Sequence, residues 1–192
     1  NSGYRDEEYA KEGAQIVQTA KEVFDKSQLI VKVKEPQESE YELLSSGQIL
    51  FTYLHLAVSK KLTEALLDRK VTAIAYETVE LEDGSLPLLA PMSAIAGRMA
   101  IQVGAHYLEK THGGLGKLLG GVPGVLPAKV TILGSGVVGI NATKMAFGLG
   151  AQVTVIERNL TRLSYVDDIF GGRVLTLTST PYYIERTVVE SD

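Results

Sequence analysis

Apolar and polar positions follow two rhythms along this chain, short β-branched runs and longer stretches with helical spacing. Leu29 to Val33 is the first run, closed by Lys34, Glu35 and Pro36. Ile49 to Leu54 and Val71 to Tyr76 are the second and third, and each predicts a strand. Between the last two, Ser59 stands at a helix cap, ahead of Leu62, Leu66 and Leu67, read as one apolar face. Pro91 then introduces a longer helical pattern. Its apolar or small residues Ile95, Ala96, Met99, Ala100, Val103, Tyr107 and Leu108 recur at the spacing of one helix face. The segment GGLGKLLGGVPG, Gly113 to Gly124, is too rich in glycine for the interior of an element.

The second half repeats the alternation. A strand at Lys129 to Leu133 leads into GSGVVG and a helix running through Met145 and Leu149, closed by Gly148 and Gly150. A strand at Gln152 to Ile156, a helix at Leu160 to Phe170 and a strand at Arg173 to Thr178 follow. A last helix near Tyr182 to Glu190 is expected to turn Ile184 and Val188 inward. Strands alternating with helices predict an α/β chain. The expected organisation is part of a catalytic α/β domain at 1–91, followed by the first half of a Rossmann dinucleotide-binding domain at 92–192.

Composition narrows the function classes. Hydrophobic residues make up 45% and charged residues 22% of the 192 positions, enough to bury a core without staples. A net charge of -4 offers no basic face, so neither nucleic acid nor an anionic membrane is an expected partner. The absence of cysteine excludes disulfides, thiolate catalysis and thiolate metal sites, and no metal is expected. Asn1 to Glu12 is too polar for the core of a signal peptide, and no apolar run is long enough for a bilayer. The expectation is a soluble, cytoplasmic protein. His106 and His112 are read as structural or surface residues.

The most specific motif is Gly134-Ser135-Gly136-Val137-Val138-Gly139. Glycines cluster at many turns, but this set follows a strand and opens a helix, the context in which GxGxxG means a dinucleotide. Gly134 permits the turn, Gly136 lets a pyrophosphate approach the backbone, and Gly139 lets helix and strand pack closely. The helix start presents free N–H groups and the positive dipole end to a phosphate. Glu157, 21 positions beyond Gly136, ends the next strand, where a carboxylate accepts hydrogen bonds from ribose hydroxyls and repels a 2′-phosphate. NAD is therefore the expected cofactor, although Arg158 beside it is a cation that a 2′-phosphate can use.

Around these features the chain resembles the alanine dehydrogenase family, which also includes the α subunit of proton-translocating transhydrogenase. The resemblance rests on VKVKEP at Val31–Pro36, GQILFTYLHLA at Gly47–Ala57, AYETV at Ala75–Val79, LPLLAPMS at Leu86–Ser93 and GGVPGVLPA at Gly120–Ala128. It continues through the glycine loop to the last residues. By resemblance, Lys34 is the substrate lysine that pairs with the keto acid's oxygens, and His55 the catalytic histidine that relays protons. Outside their motifs, a lysine before a turn and a histidine on an apolar segment would read as solvated and structural. Ser93 and Ser179 match residues that hydrogen-bond NAD, and Val137 and Val138 match glycine-loop contacts. Glu157 stands where the family usually has aspartate, and Arg162 matches a basic position on the adenosine side.

The resemblance implies oxidative deamination of L-alanine to pyruvate and ammonia with NAD, in a homo-oligomer that is hexameric in the family. It also implies missing parts. Family members are nearly twice as long; their substrate arginine lies upstream of anything matching Asn1, and their catalytic aspartate beyond Asp192. A dinucleotide fold has two βαβαβ halves, and strands for only the first are present. The expectation is therefore a piece of the enzyme with poor turnover alone. The alternatives are the NAD(H)-binding domain of a transhydrogenase α subunit, or a non-catalytic nucleotide-binding remnant.

Overall fold

Each half of the chain is built on its own three-stranded parallel sheet, with strands in sequence order. The computed structural model describes residues 3–192. They fall into two compact units, the first ending at Leu89 and the second comprising Ala90–Asp192.

In the first unit, short helices α1 (Asp6–Lys11) and α2 (Ala20–Lys26) precede β1 (Leu29–Val31). Strand β2 (Ile49–Thr52), helix α3 (Lys60–Asp68) and strand β3 (Thr72–Ala75) complete the βαβ unit. The register sets Val31 beside Phe51 and Phe51 beside Ile74. Beyond β1, bonds from Lys32 N–H to the Phe51 carbonyl and from Tyr53 N–H to the Val33 carbonyl carry the pairing on. Phe24, Ile30, Leu44, Leu50, Leu54, Leu62 and Leu66 form the core. Ser59 caps α3, its Oγ accepting the Leu62 N–H at 3.2 Å. Leu67 departs from the expected face and is 71% exposed. Five residues past Leu62 is about 1.4 helical turns, which carries it round to solvent.

The second unit opens with α4 (Ala90–Leu108) and then forms β4 (Lys129–Leu133), α5 (Val137–Gly148) and β5 (Gln152–Glu157). Helix α6 (Leu160–Phe170), strand β6 (Leu175–Thr178) and helix α7 (Pro181–Val189) follow. Ile132, Val153 and Val155 share a core with Ala142 and Ala146 of α5 and with Leu163, Val166 and Phe170 of α6. Two crossovers running the same way place both helices on one sheet face. Thr131, which alternates with Ile132, meets the end of α7 instead, its Oγ1 lying 2.6 Å from Ser191 Oγ.

Two expected faces are corrected here. On α4 the buried positions are Gly97 and Ile101, with Ala105 and Leu108 packed against the core, whereas Ile95, Met99, Val103 and Tyr107 are exposed. Apolar periodicity weighs side-chain bulk, but here smallness decides: an ideal Cβ on Gly97 would lie 2.2 Å from the Val138 carbonyl oxygen. Only glycine lets α4 and α5 approach so closely. On α7, Ile184 is half-buried as expected, but Thr187 rather than Val188 turns inward. Among the described residues, no helix is long and apolar enough to cross a membrane.

Candidate functional site

In the second unit the loop after β4 folds as its glycines demand. Gly134 has φ +91°, and its N–H donates to the Ile156 carbonyl at 2.7 Å. A Cβ on Gly139 would fall 1.9 Å from the Gly134 carbonyl oxygen, so the helix start can rest on the strand end only without one. Gly136 is the N-cap of α5, with ψ −166°. A Cβ added there would meet only Arg162 Nη1, at 4.0 Å. The backbone at Gly136 is thus open to a ligand on one side and flanked by a guanidinium on the other. The N–H groups of the first turn, at Val137, Val138 and Gly139, have no intrahelical acceptor. Open space, free donors and a cation fit a pyrophosphate.

Glu157 binds this loop to the next strand. Its Oε2 accepts the Ser135 N–H at 2.8 Å and the Ser135 hydroxyl at 2.9 Å. Its Oε1 accepts the N–H groups of Arg158 and Asn159 at 2.7 and 3.0 Å. The Ser135 N–H, then the Asn159 N–H, hold the Glu157 carboxyl down at about 2 against the opposing pull of burial. Asn159 in turn caps α6 through the N–H groups of Thr161 and Arg162, which sets Arg162 in the first turn beside the glycine loop. Ser179 follows β6 and donates its N–H to the Glu157 carbonyl at 2.9 Å. Ser93 is half-buried on α4, one turn before Gly97 and therefore on the face that meets Val138. The nine expected cofactor residues thus cluster at the C-terminal edge of one sheet and the adjoining helices, where open α/β sheets bind ligands. A separate groove of about 480 Å³ includes Lys129, Gln152 and Arg173, toward the opposite ends of the strands, and contains none of these residues.

In the first unit, Lys34 and His55 follow β1 and β2 at the same edge of their sheet. Thr52 Oγ1 donates to the Lys34 carbonyl at 2.9 Å and ties the two loops together. Lys34 is exposed, with its Nζ 3.7 Å from Glu35 Oε2, a buried oxygen that accepts no hydrogen bond among the described residues. His55 lines a small cavity of about 150 Å³ with Glu35, Tyr41 and Ser59. Its ring stacks on Tyr53, centroids 6.0 Å apart and planes within 9°.

The backbone of His55 is left-handed, φ 49° and ψ 38°, which a residue with a Cβ adopts rarely. Glu77 supports it. That carboxylate, just past β3, accepts the His55 N–H at 2.7 Å and the Leu54 N–H at 3.1 Å. Burial pushes the Glu77 carboxyl up, but the His55 and Leu54 N–H groups and the nearby imidazole outweigh it, so its pKa is lowered. Sequence reading passed over Glu77 although it lies in the AYETV motif. The available signal was topological: the third strand of a parallel sheet ends at the same edge as the first two.

Together these features define a two-unit α/β protein with a Rossmann-type glycine loop in its second unit. The N-terminal domain model of alanine dehydrogenase/PNT matches residues 1–96, and the C-terminal domain model matches residues 100–192. The chain belongs to the alanine dehydrogenase/PNT family. It is 61% identical over its whole length to an alanine dehydrogenase of Methanococcus maripaludis, of which it covers 51%. A solved L-alanine dehydrogenase matches 98% of the chain at a TM-score of 0.87 and 55% identity, with 52% of that protein covered. A transhydrogenase from Sinorhizobium meliloti shares the fold at a TM-score of 0.75 and 22% identity, over 99% of this chain and 55% of that one. The chain spans about half the length of the curated relatives it matches.

Proposed function

We propose that this chain carries the lysine, histidine and dinucleotide-loop portions of an NAD-dependent alanine dehydrogenase. The reaction is L-alanine plus NAD⁺ and water giving pyruvate, ammonium, NADH and a proton. The observation that carries this reading is the 61% identity, sustained over the whole chain, with a protein named alanine dehydrogenase.

The residues present suit that chemistry. The Lys34 ammonium pairs with the substrate's carboxylate and polarises its developing carbonyl. The His55 imidazole takes the proton released as water adds and returns it to the departing amine, as a group that titrates near neutrality can. Glu77 is a positioning residue that holds the His55 backbone. When bound, NAD supplies the hydride acceptor. Gly134, Gly136, Val137, Val138 and Gly139 would seat its pyrophosphate, with Arg162 alongside. Ser93 and Ser179 would supply further hydrogen bonds, and Glu157 would meet the adenosine ribose. The two domains are assigned to 1–91 for substrate and 92–192 for cofactor. A cytoplasmic homohexamer is the proposed setting, and the apolar side chains that α4 leaves exposed suit a face covered by another surface.

The test is NADH formation from L-alanine and NAD at alkaline pH. This chain is compared with a version lengthened at both ends to the span of its relatives. Turnover by the longer form, abolished by His55→Ala, supports the proposal. NADH binding without alanine turnover in the longer form would replace it with a transhydrogenase-type or binding-only role.

A further inference from the structure

Three side chains outside every family motif meet where α4 ends. His106 lies in the last turn of the helix, Glu109 just beyond it, and His112 closes the 3₁₀ turn Lys110–His112. One donor atom from each lies within 4.8 Å of the others. The backbone explains the convergence. Glu109 N–H donates to the His106 carbonyl at 3.2 Å and His112 N–H to the Glu109 carbonyl at 3.0 Å, so the chain leaves α4 in i→i+3 turns. With three residues per turn, positions three apart eclipse one another.

The local contacts support a ligand set rather than three scattered groups. The imidazole centroids of His106 and His112 are 3.7 Å apart, and His112 Nδ1 is 3.3 Å from Glu109 Oε2. Thr111 Oγ1 lies 3.4 Å from both Glu109 Oε2 and His112 Nδ1. The chain of Lys110, the nearest cation in sequence, lies against Gly116. The end of α4 adds the negative pole of its dipole, which favours a cation.

We propose that His106, Glu109 and His112 form a binding site for one divalent cation of the zinc class, with water completing its coordination. Two imidazoles and one carboxylate suit zinc, nickel or copper and not magnesium or calcium, which take oxygen ligands. Zinc bonds to nitrogen and oxygen are about 2.0–2.2 Å long, so the donors must draw closer than they stand. All three residues are exposed, so side-chain rotation achieves this without moving the backbone. Bound metal would join the last turn of α4 to the start of the glycine-rich segment Gly113–Gly124. The site does not depend on the dehydrogenase reading.

The experiment uses the whole chain, free of any histidine tag and stripped with a chelator, titrated calorimetrically with Zn²⁺. The expected result is one ion per chain. His106→Ala, His112→Ala and Glu109→Gln should each weaken binding at least about tenfold, the loss seen even for supporting residues of metal sites. His55→Ala, which alters the only other histidine, should leave Zn²⁺ binding intact. Far-UV circular dichroism confirms that each variant is folded. Co²⁺ absorption of the unmodified chain gives a readout that needs no variant, because protein nitrogen ligands change its spectrum from that of the hydrated ion. Absence of Zn²⁺ binding, a Co²⁺ spectrum like the hydrated ion's, or equal affinity in the double variant His106→Ala/His112→Ala would overturn the proposal.

Discussion

Both units send a loop off the end of a parallel strand through left-handed backbone, and in both a glutamate from the neighbouring strand's end accepts that loop's N–H groups. In the second unit the left-handed residue is Gly134, at φ +91°, and the glutamate is Glu157. In the first unit it is His55, at φ 49°, and the glutamate is Glu77. The difference lies in the side chain. A loop meant to bring backbone close to a ligand works best with nothing at Cβ. A loop that carries an imidazole at this position cannot use glycine, so it carries a strain of about 1–2 kcal/mol. The charged hydrogen bonds to Glu77 offset that strain. Strain retained at a residue with a reactive side chain is the pattern expected of a working position.

The comparison can be broken in several ways, the largest first. Gly139→Ala drives a Cβ into the Gly134 carbonyl and should cost roughly 3 kcal/mol. For a chain of this size that lowers Tm by about 6–12 °C in a thermal melt. Glu77→Ala leaves two N–H groups unpaired and should cost about 2 kcal/mol in urea unfolding, with Glu77→Gln recovering part because it keeps an acceptor. Gly134→Ala meets no atom within 4 Å and should cost only the backbone term, about 1–2 kcal/mol. If it proves as damaging as Gly139→Ala, the division between contact and conformation is wrong. His55→Gly should leave stability unchanged or raise it by up to about 1 kcal/mol while removing the imidazole. A clear loss of stability would show that His55 is not strained.

A further effect appears only in acid. Folding lowers the Glu157 pKa from 4.5 to about 2, so its contribution to stability is present above pH 4.5 and fades as the pH falls toward 2. Glu157→Gln should flatten this part of the pH–stability profile. An unchanged profile would mean that the Ser135 bonds do not favour the ionised form.

How much of this was legible in the sequence follows from how local each cause is. The glycine loop, the Ser59 cap and the helix Leu160–Phe170 depend on neighbours within a few residues, and they fold as read. The buried face of α4 was misread because both faces are apolar and the choice rests on Gly97 meeting Val138 some forty positions away. Leu67 is apolar yet stands about 1.4 turns past the buried Leu62, whereas Val188, four residues past Ile184, has the inward spacing and is exposed all the same. Glu77 acts through N–H groups of a different strand's loop, which periodicity cannot register. The convergence of His106, Glu109 and His112 depends on α4 tightening into 3₁₀ turns, and their spacing alone does not announce it.

The contact at Gly97 also has a mechanical side. With no side chain between them, α4 and α5 touch backbone to backbone, and Arg98 Nε adds a bond to Asn141 Oδ1 at 3.1 Å. Asn141 in turn donates to the Val137 carbonyl, in the turn that opens α5. Such a joint has no soft layer to absorb displacement, because packed backbone does not compress. The start of α5, and with it the end of the glycine loop, is thus fastened to the middle of α4 by backbone contact and by the Arg98–Asn141–Val137 hydrogen bonds.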